Sequence, residues 1–403
     1  MTQKKQMTNP LGTDRISTLV ARFAVPSIIA TLVSAVYNIA DQLFIGNAVG
    51  TLGNAATNIA FPLSMLCASL ALLFGIGGAS SFNLHMGAGR KEEAPYYIGN
   101  SITMLLSLGF LLLLITELFL NPLLVLFGSP ADVLPLAEQY VRVTAVGFPF
   151  LILTIGSGHL IRADGNPKMA MFVTVSGAVI NIVLDALFVF GFQWGMYGAA
   201  WATVIGQIIS AAIAIRYFMH YHTVTLEKQH FIPSGKVLAQ ICSIGMSSGI
   251  NQIAVMIVQI VMNNLLKHYG AQSVYGESIP IACAGIVMKV NQLYFSIVIG
   301  LAQGSQPIES FNYGAKQYKR VTDAFLLAAS VGAVVSIISF LLFQLFPRQI
   351  LFLLPLIVAL PHFFGIMGVL YAGPIADLLS FAVGISMVIV EFKHINKLEA
   401  ELA

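Results

Sequence analysis

Charge is what this sequence has least of. Only 9% of its 403 residues are Asp, Glu, Lys or Arg, against about 25% in ordinary soluble domains. Hydrophobic residues make up 57% and mean hydropathy is +0.85, which excludes a soluble globular protein. Cysteine is scarce too. Cys67, Cys242 and Cys283 are odd in number and lie in apolar runs, so neither a disulfide framework nor a cysteine metal cluster is expected. No Walker A sequence occurs, so ATP is not the expected energy source. The eight His are scattered, with no H-E-x-x-H pattern to signal a metalloenzyme. No cleavable signal precedes the first apolar run; the polar, basic MTQKKQMTNPLGTDRIS (1–17) reads as a cytoplasmic leader. The net charge of +3 says little about partners, and nothing points to a nucleic acid.

Long apolar runs are what the chain has in place of charge. Runs of the length that crosses a bilayer lie near 19–45, 57–82, 96–120, 135–160, 169–192, 197–218, 237–265, 279–303, 321–346, 350–371 and 374–391. Such runs can satisfy their backbones in lipid only as helices, so the expected class is an all-α polytopic membrane protein. Lys and Arg mark cytoplasmic loops. They follow the second span (Arg90, Lys91), the fourth (Arg162, Lys168), the sixth (Arg216, Lys228, Lys236) and the eighth (Lys316, Lys319, Arg320), whereas 46–56, 121–134 and 193–196 have none. The alternation places the N-terminus in the cytoplasm through eight spans.

The longest polar segment, HYHTVTLEKQHFIPSGK (220–236), separates an N-terminal six-helix lobe (1–219) from a C-terminal lobe (237–403). The lobes read as repeats: SFNLHMGAGRK (81–91) parallels SFNYGAKQYK (310–319) at an offset of 227–229. FAVPSIIATL (23–32) parallels IGMSSGINQI (244–253) at about 221. Further on, GFQWGMYGAAWAT (191–203) parallels HFFGIMGVLYAG (362–373), but at an offset of only 170. The shortfall amounts to one helix with its loops. FPRQILFLL (346–354) also joins two spans with almost no connection, where about 2–8 residues are usual. About eleven spans are therefore expected, with the tenth helix missing and five in the C-terminal lobe. An odd count would put the tail, with Lys393 and Lys397, on the outer side against the charge rule.

Several polar side chains stand inside these runs. An aspartate at mid-span costs roughly 2.5–3.5 kcal/mol on insertion scales, yet Asp185 lies in the fifth span with Asn181 one turn before it. Tyr37 and Asp41 repeat that spacing in the first span, and a four-residue step puts both members on one helix face. The charge topology places the two carboxylates at similar depth, with Thr203 and Tyr140 near that level in the sixth and fourth spans. Two carboxylates in a low-dielectric site cannot both stay ionised without a counter-ion. Such a pair would hold a proton or, with the Asn181 and Thr203 oxygens, a sodium ion. The alternative is that each aspartate caps a helix or pairs for packing. Lys289 in the eighth span, beside Asn291 and Gln292, is a functional candidate or a snorkelling side chain. Gln252, Gln259, Asn263 and Asn264 make the seventh span polar, for a wet cavity or for interhelical hydrogen bonds. Asp377 reads as an end-of-helix residue. The 15 Met and 27 Phe would suit flat apolar cations.

As an ordered set, YNIADQLFIG (37–46), SFNLHMGAGR (81–90), YVRVTAVGFPF (140–150), IRADGNPKMAM (161–171), NIVLDALFVFGFQWGMYGAAWAT (181–203) and GLAQGSQPIESFNYGA (300–315) resemble the multidrug and toxic compound extrusion (MATE) family. The resemblance implies twelve helices in two lobes, from which this chain departs at the tenth. It implies alternating-access export of organic cations or drugs in exchange for H+ or Na+. It also implies a coupling-cation site at Asp41, Asn181, Asp185 and Thr203 with Tyr37 and Tyr140 in support, and no other metal or cofactor. Pro26 becomes a hinge candidate, because bending of the first helix is proposed in the family, although membrane-helix prolines are often static. A monomeric, non-enzymatic protein of the bacterial cytoplasmic membrane is expected. A lipid-linked substrate flippase of similar architecture would need a more cationic cavity than Lys289 alone supplies. A prenyl-transferase-like enzyme would need Asp-rich loops at the membrane surface.

Overall fold

A computed structural model describes residues 9–273 and 276–345. The expected last two spans, Asp377, the missing tenth helix and the side of the tail lie outside the described residues. Twelve α-helices follow one another without a strand among the described residues. A short α1 (Pro10–Thr13) precedes the long α2 (Ile16–Ala48) and α3 (Thr51–Gly87). Then come α4 (Ala94–Leu118), α5 (Leu120–Leu126), α6 (Leu134–Thr144), α7 (Phe148–Ala163), α8 (Pro167–Asp185) and α9 (Gly195–Phe218). Beyond a loop lie α10 (Gly235–Ala271), α11 (Ser278–Gly314) and α12 (Tyr318–Leu345). Among the described residues, eight helical stretches are long and apolar enough to cross a membrane, α6 and α7 counting as one.

Helices α3, α10 and α11 each run 37 residues. At about 1.5 Å per residue this far exceeds a hydrocarbon core of about 30 Å, so they tilt or project beyond it. The fourth span is interrupted by a 3-10 turn at Ala145–Gly147. Pro149 begins α7 there and offers no amide hydrogen to the preceding turn. The fifth span ends in a π turn, Ala186–Gly191, directly after Asp185. Helix α2 runs unbroken past Pro26.

Helix α3 packs along α10 and α11, while α2 lies between α11 and α8. Two of the close approaches fall where the duplicated motifs meet. A Cβ on Gly87 would fall 2.0 Å from the carbonyl oxygen of Phe311, and one on Gly314 2.1 Å from that of Leu84. Each motif's glycine thus receives the other motif's backbone, the reciprocity expected of elements related by a two-fold axis. Only glycine permits such an approach.

The RADGNPK stretch builds the turn from α7 to α8. Gly165 takes a φ of +83°, the Asn166 side chain caps α8 by accepting from the Met169 amide at 3.1 Å, and Pro167 fills the first turn. Asp164 Oδ2 accepts from the Tyr217 hydroxyl at 2.6 Å and the His222 amide at 2.9 Å. Its Oδ1 accepts from the Thr223 amide at 2.8 Å and the Thr223 hydroxyl. On α4, Asn100 donates to the His230 and Ile232 carbonyls and accepts from the Ser234 amide at 2.8 Å. The segment between α9 and α10 is therefore strapped along its length to the N-terminal helices.

Candidate functional site

Four helices converge around Asp185. Helices α2 and α8 pack together, as do α8 and α9 and α6 and α9. Asp185, Asn181 and Asp41 are 0%, 3% and 6% exposed, far below what an aspartate in contact with water shows. Asp41 is the charged neighbour of Asp185, and Tyr37 and Tyr140 lie within electrostatic range of both carboxylates. In one orientation of its amide, Asn181 donates to the Thr203 hydroxyl at 3.3 Å. Turned over, it donates to Asp185 Oδ2 and accepts from the Thr203 backbone amide, each at 3.2 Å. The second orientation satisfies more groups, because the carboxylate is only an acceptor. Tyr140 and Thr203 line the same small cavity.

Asp185 Oδ1 is buried with no hydrogen-bond partner. A buried carboxylate oxygen left in this way is costly, of order 1–3 kcal/mol or more, and an added proton or metal cation would satisfy it. Carboxylate, amide and hydroxyl oxygens form a hard-oxygen donor set that fits Na+ as well as H+. The π turn follows immediately, and such turns often mark functional positions. Within it and just after it the Phe188, Phe192 and Trp194 rings gather with centroids 5.1–5.9 Å apart. A small cavity continues from Tyr140 and Thr203 past Ser64, Thr144 and Gln207.

All six residues of the expected coupling site and its support thus stand in one neighbourhood. The other candidates do not join it. Pro26 is buried nearly half the length of α2 from Asp41. Gln259 is tied to Asn58 and Asn263 at 3.4 and 3.1 Å, and half-buried Gln252 lies two turns away on the same helix. Lys289 falls on α11 with its side chain outside the described residues.

Sequence reasoning passed over Gln42, which lies beside Asp41 and receives the Thr57 hydroxyl at 3.3 Å. It also passed over a buried cation: Arg162 donates to Gln303 at 3.0 Å, and His159 meets Gln306 at 3.1 Å. The polar run Asn54, Thr57 and Asn58 in an otherwise apolar span was the available signal.

A family profile for MatE matches residues 26–187 and 248–360, more than half of the chain. This chain belongs to the MatE family. Members of this MATE family are multidrug efflux transporters. The chain is 28% identical over 320 residues to the multidrug export protein MepA of Staphylococcus aureus, covering 79% of this chain and 69% of that one. A second MepA, from Staphylococcus saprophyticus, is 27% identical over 292 residues, 72% of this chain and 63% of that one. A solved MATE multidrug transporter, DinF-BH with a small molecule bound, is 31% identical, with a TM-score of 0.84 over 95% of this chain and 98% of that one. An outward-facing MATE family transporter at 24% identity, with a TM-score of 0.75 over 85% of this chain and 75% of that one, shares the fold.

Proposed function

We propose that this chain exports organic cations or drugs across a bacterial cytoplasmic membrane, in exchange for a proton or sodium ion held at Asp41 and Asp185. The observation that carries this reading is the unpartnered, buried Oδ1 of Asp185 with Asp41 as its charged neighbour. Two such carboxylates repel unless a cation lies between them. A cation arriving from one side of the membrane therefore changes the energy of the whole α2–α8 contact, which is what coupling requires. Asn181 and Thr203 supply neutral oxygens that would complete a sodium shell, and Tyr37 and Tyr140 border the same space. Multidrug export by the MepA relatives and the small-molecule complex of DinF-BH support a small organic cargo. The abundance of Phe suits one that is flat and cationic.

In this reading the N-terminus is cytoplasmic, following the Lys and Arg distribution, and the chain works as a monomer in the bilayer. Dye efflux from cells or proteoliposomes, driven first by a pH gradient and then by a sodium gradient, tests it. Efflux that follows one gradient and is lost in Asp185→Asn is the expected result. Efflux indifferent to both gradients would refute the coupling.

A further inference from the structure

The contact between the N-terminal helices and α10–α11 differs between its two ends. Toward the end that carries α1, backbones touch over glycine. A Cβ on Gly77 would lie 2.2 Å from the Ile241 carbonyl oxygen, and one on Gly245 1.9 Å from that of Leu73. The reciprocal Gly87–Phe311 and Gly314–Leu84 contacts continue this seam. Toward the other end three side-chain amides join the same helices, and Asn264, Lys267 and Ser278 add bonds to Leu126, Ser129 and Asp132 at its rim. Asn58 of α3 donates to Asn263 Oδ1 at 3.3 Å and to the Ile281 carbonyl of α11 at 3.0 Å. Gln259 of α10 donates to Asn58 Oδ1 at 3.4 Å and to Asn263 Oδ1 at 3.1 Å. All three are buried. Two of their atoms, Gln259 Oε1 and Asn263 Nδ2, have no partner.

We infer that Asn58, Gln259 and Asn263 form the gate of this transporter at the end remote from α1, closing the cleft that leads to the carboxylates. The inference rests on the exporter reading above. Its physics is an asymmetry of cost. Parting the glycine seam forfeits close-packed contact along several turns. Parting the amides breaks neutral hydrogen bonds of 3.0–3.4 Å and lets water satisfy two groups that are orphaned while the gate is shut. The seam therefore serves as the pivot and the amides as the latch.

The latch is also connected to the ion site. Asn58 and Asp41 stand at equal distances from the turn joining α2 to α3. Thr57, beside Asn58, donates to Gln42, beside Asp41, and Gln42 in turn donates to the Asn54 carbonyl at 3.4 Å. A shift of α2 on cation binding is thus passed directly to the helix that carries the latch.

Electron–electron distance measurements on the full chain in lipid nanodiscs test the gate. Spin labels at Thr51→Cys and Gln272→Cys report the latch end, and labels at Lys91→Cys and Lys236→Cys the seam end, with Cys67, Cys242 and Cys283 replaced by Ala. Cutting the latch (Asn58→Ala with Asn263→Ala) is expected to raise the population of long 51–272 distances about tenfold and leave 91–236 unchanged. Asn58→Leu with Asn263→Leu keeps an apolar contact with nothing to hydrate, and is expected to confine 51–272 to the short distance. Identical 51–272 distributions in all three chains, or widening at 91–236 instead, would overturn the gate. Distances need neither cargo nor ion. A chain that opens here yet pumps nothing would sink the exporter reading and leave the gate standing.

Discussion

Asn181 joins α8 to α9 one turn before Asp185, its side-chain oxygen accepting from the Thr203 backbone amide at 3.2 Å. That bond makes the carboxylate environment a property of two helices. Asn181, four positions before Asp185, thereby bridges its Oδ2 to Thr203, 18 positions beyond it.

Asp185→Asn is expected to fold, because the side chain keeps its size and one acceptor oxygen. It should abolish gradient-driven efflux, since an amide neither titrates nor carries the negative charge that holds a cation. Ethidium efflux in energised vesicles, with a thermal melt to verify folding, checks this. Parental efflux by a well-folded variant would remove Asp185 from the coupling site.

Thr203→Val keeps the shape and loses the hydroxyl that lies 3.3 Å from the Asn181 amide and lines the cavity beside Tyr140. A stability loss of about 1 kcal/mol is expected for the lost bond, with efflux several-fold slower. Thr203→Ser should recover most of the transport. If serine rescues no better than valine, the hydroxyl is not the relevant group.

Gly314→Ala tests the seam. Alanine ordinarily gains about 1 kcal/mol over glycine in a helix, but here its methyl would meet the Leu84 carbonyl 2.1 Å away. Backbone cannot yield cheaply, so a net loss of roughly 1–3 kcal/mol is expected. Gly235→Ala, with nothing within 4 Å of the added carbon, is the control and should be neutral or stabilising. Unfolding in denaturant compares the two, and equal midpoints would contradict the account of the seam.

Asp164→Asn should free the strap between α9 and α10. Donors converge on both carboxylate oxygens, so an amide nitrogen faces an N–H or O–H donor in either orientation. The expected cost is about 1.5–3 kcal/mol, that of bonds to a charged group. Limited proteolysis should cut 220–234 much faster in the variant, and unchanged cutting would show that the strap holds without Asp164.

Burial, then the Asp164 carboxylate and the Tyr217 phenol beside it, hold the Tyr221 phenol well above its ordinary value. Unfolding lets that proton leave at about pH 10, where the folded chain still keeps it. Stability from this group is therefore complete below about pH 10 and falls as the pH climbs beyond it. Tyr221→Phe should cost about 1 kcal/mol at neutral pH through the lost bond to the Leu160 carbonyl, and should lose less than the parent in alkali. Melting curves at pH 8 and pH 11 would reveal a parent that loses no more than the variant, the result that contradicts this.

Much of the molecule was legible before any coordinate. The scarcity of charge determined that the chain lives in lipid, and lipid leaves a helical backbone no alternative. The four-residue spacing of Asn181 and Asp185, and of Tyr37 and Asp41, determined which side chains share a helix face, because helical periodicity is local. The family, too, was readable from ordered motifs. What the sequence could not decide is everything that depends on which faces meet. That Gly87 and Gly314 exchange carbonyl contacts, that Gln259 bonds to Asn58, and that Arg162 turns inward to Gln303 are facts of packing between segments 140 or more residues apart. Polar residues in an apolar span announce that a partner must exist, since burying them alone is costly. Only the tertiary structure decides which partner, because every amide and hydroxyl in the bundle could satisfy another and only the packing of the helices brings particular ones within reach.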